Sequence, residues 1–142
     1  MKALSIVAPL QTNPFFNKVQ RDFFVIHLYN PGDKARELEI ARFISILESD
    51  IINKQTTIEM VAREMNLSPH TLKEHCKKIW KKTPHELIDG TLVQKAKKKL
   101  QQTELPIKVI ALTLKFHDAS HFTHFFKKYM GVTPTQYRNF KL

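Results

Sequence analysis

Apolar residues recur at helical spacing over the last two thirds of the chain, and the pattern occurs twice. Ile58, Val61, Ala62, Met65 and Leu67 each have an apolar counterpart 49 positions on, at Ile107, Ile110, Ala111, Leu114 and Phe116. Farther along, Leu72, Cys76, Lys77, Lys78, Thr83 and Pro84 correspond to Phe122, Phe126, Lys127, Lys128, Thr133 and Pro134 at an interval of 50, so the second copy has one more residue in its turn. A repeat of this length marks a duplicated supersecondary unit. Each copy reads as a short helix, a tight turn and a second helix.

Capping residues set the predicted boundaries. Thr56 and Glu59 predict a capping box before Val61, Ala62 and Met65. Asn66, Leu67 and Ser68 break that helix. Ser68-Pro69 then starts the next, to Ile79, with Leu72, Cys76 and Ile79 facing inward. Thr83-Pro84-His85-Glu86 opens a long helix through residue 102, with an apolar stripe of Leu87, Ile88, Leu92, Ala96 and Leu100. Gly90 weakens it by only about 1 kcal/mol relative to Ala. Pro106 begins another short helix, and Lys115 to His117 form a turn. Asp118 caps a helix from Ala119 to Tyr129 whose inner face is Phe122, Phe126 and Tyr129. Gly131 ends it, and Thr133-Pro134-Thr135-Gln136 starts a last one.

Upstream, Glu37 to Ile52 predicts a helix with Leu38, Ala41, Ile44, Leu47 and Ile51 on its apolar face. Phe23 to Tyr29 reads as a strand and Asn30-Pro31-Gly32-Asp33 as a turn. A lone strand must pair with a partner, pack on the helices or belong to something larger. The expected fold is all-α: helix-turn-helix subdomains over residues 35–83 and 103–142, a linker helix over 84–102, and an N-terminal extension over 1–34.

Charge gives the repeat a direction. Of 23 basic and 13 acidic side chains, residues 1–50 carry six of each, leaving 17 basic against 7 acidic in residues 51–142. The net charge of +10 therefore falls entirely on the duplicated part, which favours a polyanionic partner and salt-sensitive binding. One cysteine excludes an internal disulfide, no apolar run approaches a membrane span, and no signal-peptide pattern is present. A cytoplasmic location and no membrane partner are expected.

In a helix-turn-helix, early residues of the second helix face base edges in the major groove. The base-reading candidates are thus His70, Lys73 and Glu74 in the first unit, and Ser120, His121, Thr123 and His124 in the second. Lys73 can donate to guanine and Glu74 can accept from cytosine, whereas hydroxyl and neutral imidazole contacts are more permissive. Ser68, Lys77, Lys78, Lys81, Lys82, Lys127 and Lys128 are the phosphate candidates, at the ends of these helices. A 19-residue linker helix rises roughly 28 Å, near the ~34 Å of a duplex turn. Two successive major-groove segments on one face of double-stranded DNA are thereby within reach.

Phe116, Asp118, Ser120, His121, Phe122, Phe126, Lys127, Lys128, Gly131, Val132, Thr133, Pro134, Tyr137 and Arg138 form a dense signature. Ala62 through Leu67, with Ser68 and Leu72, gives a looser version. Over about residues 36–140 the chain resembles the DNA-binding domain of AraC/XylS-family bacterial transcription regulators. The resemblance implies two helix-turn-helix subdomains joined by a helix, and activation through contact with RNA polymerase. The sequence departs from the family at Lys115 (turn glycine), Cys76 (phenylalanine), Lys81 (a glycine ending the first reading helix) and Leu92 (an arginine of the linker helix). The chain reads either as a stand-alone MarA-like regulator or as a fragment of a longer one, monomeric or dimeric.

The alternative from another class is a basic helical adaptor that docks on RNA polymerase without reading DNA. No catalytic constellation or cofactor motif is present, so no enzyme activity and no cofactor are expected. His117, His121 and His124 share a helical face, but no cysteine or carboxylate cluster completes the set, and no metal is expected. Imidazoles at these positions would instead strengthen DNA binding as pH falls through about 6.5. Cys76 and Trp80 read as core, and Lys97-Lys98-Lys99 as mostly solvated.

Overall fold

The computed structural model describes residues 34–140. Within them are seven helices and no strand: α1 (Lys34–Glu48), α2 (Ile58–Glu64), α3 (Pro69–Trp80), α4 (Pro84–Gln102), α5 (Ile107–Thr113), α6 (Ala119–Met130) and α7 (Pro134–Asn139). The expected strand Phe23 to Tyr29 and the turn after it lie outside the described residues.

Two apolar clusters form the core, and α4 contributes to both. The first gathers Ile40, Phe43, Ile44 and Leu47 of α1 with Ile52, Val61, Ala62, Met65, Leu72, Cys76, Trp80, Leu87 and Ile88. The second gathers Leu92, Val93, Ala96 and Leu100 with Ile110, Ala111, Leu114, Phe116, Phe122, Phe125 and Phe126. The changeover falls between Ile88 and Leu92, so the linker helix is a shared wall whose N-terminal half seals one unit and whose C-terminal half seals the other. Helices as short as α2 and α5, seven residues each, need such packing to persist.

The structure changes several expectations. Helix α1 stops at Glu48, where Ser49 donates its hydroxyl to the Ile46 carbonyl at 2.6 Å. Its buried face is Ile40, Phe43, Ile44 and Leu47, whereas Leu38 is 71% exposed and Ile51 is also exposed. That i, i+3, i+4, i+7 set buries Phe43 against Trp80, ring centroids 5.1 Å apart. The cap of α2 is Thr57, which accepts from Met60 N, and not Thr56. Thr56 is buried in the preceding turn, donating to Ile51 O at 2.6 Å and accepting from Asn53 N at 2.9 Å. Tyr129, expected inward, is exposed, and Phe125 takes the buried place beside Phe116.

Among the described residues, four adopt left-handed backbone: Asn66 (φ 55), Lys81 (φ 58), Lys115 (φ 65) and Gly131 (φ 76). They sit at matching places in the repeat: Asn66 and Lys115 turn the chain between helices, and Lys81 and Gly131 end α3 and α6. The lysines occupy the two sites where the family resemblance implies glycine. Their φ values supply the physical reason, since only residues without a clashing Cβ enter this region freely.

Candidate nucleic-acid interface

Helices α3 and α6 are built alike, each amphipathic with an aromatic or sulfur-bearing inner edge. Leu72, Cys76 and Trp80 are buried on α3, and Phe122, Phe125 and Phe126 on α6. Each is held at its start by a side-chain cap: Ser68 Oγ accepts from Thr71 N at 3.1 Å, and Asp118 Oδ1 accepts from His121 N at 2.8 Å. Prolines 69, 84 and 134 each open a helix at a position that has no intrahelical donor to lose. Only the cap of α7 is reciprocal among the described helices, with Gln136 Oε1 accepting from Thr133 N.

The outward faces hold the sequence candidates. His70, Lys73 and Glu74 on α3, and Ser120, His121 and His124 on α6, are exposed. Thr123 is half-buried. Lys77, Lys78, Lys127 and Lys128 are exposed in the last turns of their helices, with Lys81 exposed just past α3 and Lys82 half-buried. Lys128 Nζ lies 5.6 Å from the Tyr129 ring centroid. The Ser68 hydroxyl caps α3 and donates to Thr71 Oγ1 at 2.8 Å, so its duty at the helix start is already structural. Among the linker lysines, Lys97 lies over the Tyr137 ring at 5.9 Å, and Lys98 is exposed.

Several long-range contacts hold the two units and the linker helix together. Lys54 N donates to Leu114 O at 2.9 Å, and Lys54 Nζ lies 4.7 Å from the Phe125 centroid, tying the α1–α2 loop to the second unit. Lys95 Nζ donates to Ser49 O and Ile52 O at 2.6 and 3.1 Å, anchoring α4 on the first unit. Burial, the largest influence, lowers the Lys95 pKa, against an opposing pull from Asp50. Tyr129 donates its hydroxyl to Asp89 Oδ2 at 2.6 Å, and His85 Nε2 approaches the same oxygen at 3.4 Å. Burial and this contact raise the Tyr129 pKa. Arg138 donates to the carbonyls of Leu100, Thr103 and Leu105, closing the C-terminal end of α4. Apart from the His85–Asp89 pair, these contacts join residues 33 to 71 positions apart, which is why periodicity does not show them.

Two further groups of polar side chains lie among the described residues. His75 pairs with Glu39 between α3 and α1. Burial, then the charge of Glu39, pushes the Cys76 thiol up to about 12, which makes it an inert core group. At the start of α6, His117, Asp118 and His121 bring their ligand atoms within 4.8 Å of one another. The sequence pattern offers no cysteine or carboxylate cluster to complete the histidine set, but the turn places the single carboxylate of Asp118 beside His117 and His121. His124 is outside this group. The His121 amide, then the His117 ring, hold the Asp118 carboxyl below its usual range.

Residues 61–139 match the family described as helix-turn-helix domain. The chain is 35% identical over 81 residues to the ornithine utilization regulator of Pseudomonas aeruginosa, covering 57% of this chain and 24% of that protein. It thus spans about a quarter of that relative's length. Among solved structures, the C-terminal domain of AraT, a response regulator from Geobacillus stearothermophilus, is 31% identical with a TM-score of 0.66, over 73% of this chain and 86% of that one. A Chromobacterium violaceum transcriptional regulator described as AraC-type shares the fold, with a TM-score of 0.66 at 20% identity, over 75% of this chain and 95% of that one.

Proposed function

This chain belongs to the AraC/XylS-type helix-turn-helix transcription regulators, and from that premise we propose that it reads an asymmetric site of about two duplex turns with α3 and α6. The observation that carries the reading is the matched construction of these helices. Each has three buried residues on one side and exposed polar residues on the other. They flank a 19-residue helix packed into both cores. Two reading helices on one rigid chain need no palindrome, unlike the half-sites of a symmetric dimer.

In this reading Lys73 and Glu74 contact base edges in one groove segment, with His70 beside them. Ser120, His121, Thr123 and His124 do so in the next. Lys77, Lys78, Lys81, Lys82, Lys127 and Lys128 hold phosphates, and Ser68 supports the start of α3. We take the units to be 35–83 and 103–142, a division that the two apolar clusters support, with α4 contributing to both. Activation through contact with RNA polymerase is the output that the family resemblance supports, and run-off transcription with purified polymerase tests it.

Titration of a labelled duplex at 50 and 200 mM salt tests the reading itself. Six or more phosphate contacts predict a loss of roughly 10³-fold in affinity over that range. A protein-docking adaptor would bind duplex weakly in both buffers.

A further inference from the structure

We propose that His117, Asp118 and His121 form a binding site for a divalent transition-metal ion at the start of the second reading helix. Among the described residues this is the one group of three or more potential ligands that converge, all atoms within 4.8 Å. His117 Nδ1 and Asp118 Oδ2 are 3.1 Å apart. Two donors bound to one ion at about 2.0–2.1 Å are themselves separated by about 3.0–3.4 Å, so this pair already has the bite of adjacent ligands. The His117 and His121 rings stand edge to face with centroids 5.3 Å apart. Both are exposed, so rotation of the His121 ring closes the set without moving the backbone.

The division of labour within Asp118 makes this feasible. Oδ1 accepts from His121 N at 2.8 Å and satisfies the helix end, while Oδ2 faces His117. An ion can therefore bind Oδ2 without uncapping α6. Two imidazoles and a carboxylate suit zinc, nickel or copper(II) and are a poor set for magnesium or calcium. Water completes the coordination, and the imidazole nitrogens and the carboxylate ligate the ion in their deprotonated forms.

A loaded site withdraws His121 from base contact. That consequence rests on the proposed DNA reading, whereas the site does not. The test is a zinc titration of the full chain without DNA, followed through histidine ring ¹H–¹⁵N signals, with His70, His85 and His124 as internal references. The His117 and His121 signals should shift together while the references stay in place. His117→Ala should weaken zinc binding by at least about tenfold, with an unchanged far-UV circular dichroism spectrum. Equal zinc affinity in wild type and His117→Ala, or shifts at the reference histidines alone, would overturn the proposal. In a second arm, zinc should relax sequence preference only in the half-site assigned to α6. An unchanged preference in a protein that binds zinc would overturn the placement of His121 against bases and leave the metal site standing.

Discussion

Replacing Lys81 by glycine should make the protein more stable and at the same time weaken its hold on DNA. Lys81 ends α3 at φ 58 and is exposed, so its side chain adds little packing. An L residue in the left-handed region costs about 1–2 kcal/mol. Glycine loses some of that advantage, about 0.4–1 kcal/mol, through its greater freedom in the unfolded chain. The net gain is about 0.8 kcal/mol at the midpoints of these ranges. Gly131, the equivalent stop of α6 at φ 76, provides the mirror experiment: a Cβ built there meets nothing within 4 Å. Gly131→Ala therefore isolates the backbone effect and should cost about the same amount. Urea unfolding should show the two midpoints moving in opposite directions with m unchanged. Because Lys81 is assigned to phosphate, Lys81→Gly should also reduce the salt slope of DNA binding by about 1. A destabilised Lys81→Gly protein, or a neutral Gly131→Ala protein, would refute the backbone argument. An unchanged salt slope would remove Lys81 from the phosphate set.

Other outcomes follow from the contacts between units and on the reading helices. Arg138→Ala removes the guanidinium from three carbonyls at the end of α4 and should destabilise by about 2–3 kcal/mol in urea. Arg138→Lys should recover less than half of this, because an ammonium cannot reproduce the fork. Tyr129→Phe leaves the buried Asp89 without its 2.6 Å donor, with an expected loss of about 1–3 kcal/mol; an unchanged midpoint would show that this contact does not tie α6 to α4. Lys73→Ala should relax preference at one base pair by ~1–3 kcal/mol, whereas Lys127→Ala should weaken all sequences alike, as read by competition with single-substitution duplexes. The Asp118 carboxyl has a lowered pKa, so its contribution is present above the unfolded carboxylate range and lost as pH falls through the folded value. Acid unfolding monitored at α6 should show that loss, and Asp118→Asn should flatten it.

Helix positions were legible from the sequence wherever a cap and an apolar stripe agreed. Ser68-Pro69, Thr83-Pro84 and Asp118 start α3, α4 and α6 as expected, and α4 spans the expected 84–102. Where two adjacent hydroxyls competed, local pattern did not decide: Thr56 was claimed by the turn below it and Thr57 became the cap. The face of α1 is legible in part, at Ile44 and Leu47; Leu38 and Ile51 are exposed and Ile40 and Phe43 are buried instead, because several registers bury similar residues and the Phe43–Trp80 contact across the core selects among them. The outward faces of α3 and α6 were readable because inner and outer positions alternate with the helix period. The contacts of Lys54, Lys95, Tyr129 and Arg138 depend on how separate elements dock, and one-dimensional periodicity carries no trace of that.

In the proposed reading, one chain contacts two unlike groove segments with two unlike helices. Selection of binding sites from a randomised duplex pool by the purified protein tests it most directly. The expected outcome is an enriched asymmetric site with two unrelated blocks about 10–10.5 base pairs apart, the block assigned to α3 being the more sharply specified. Enrichment of a palindrome, of a single block, or of no sequence at all would contradict it.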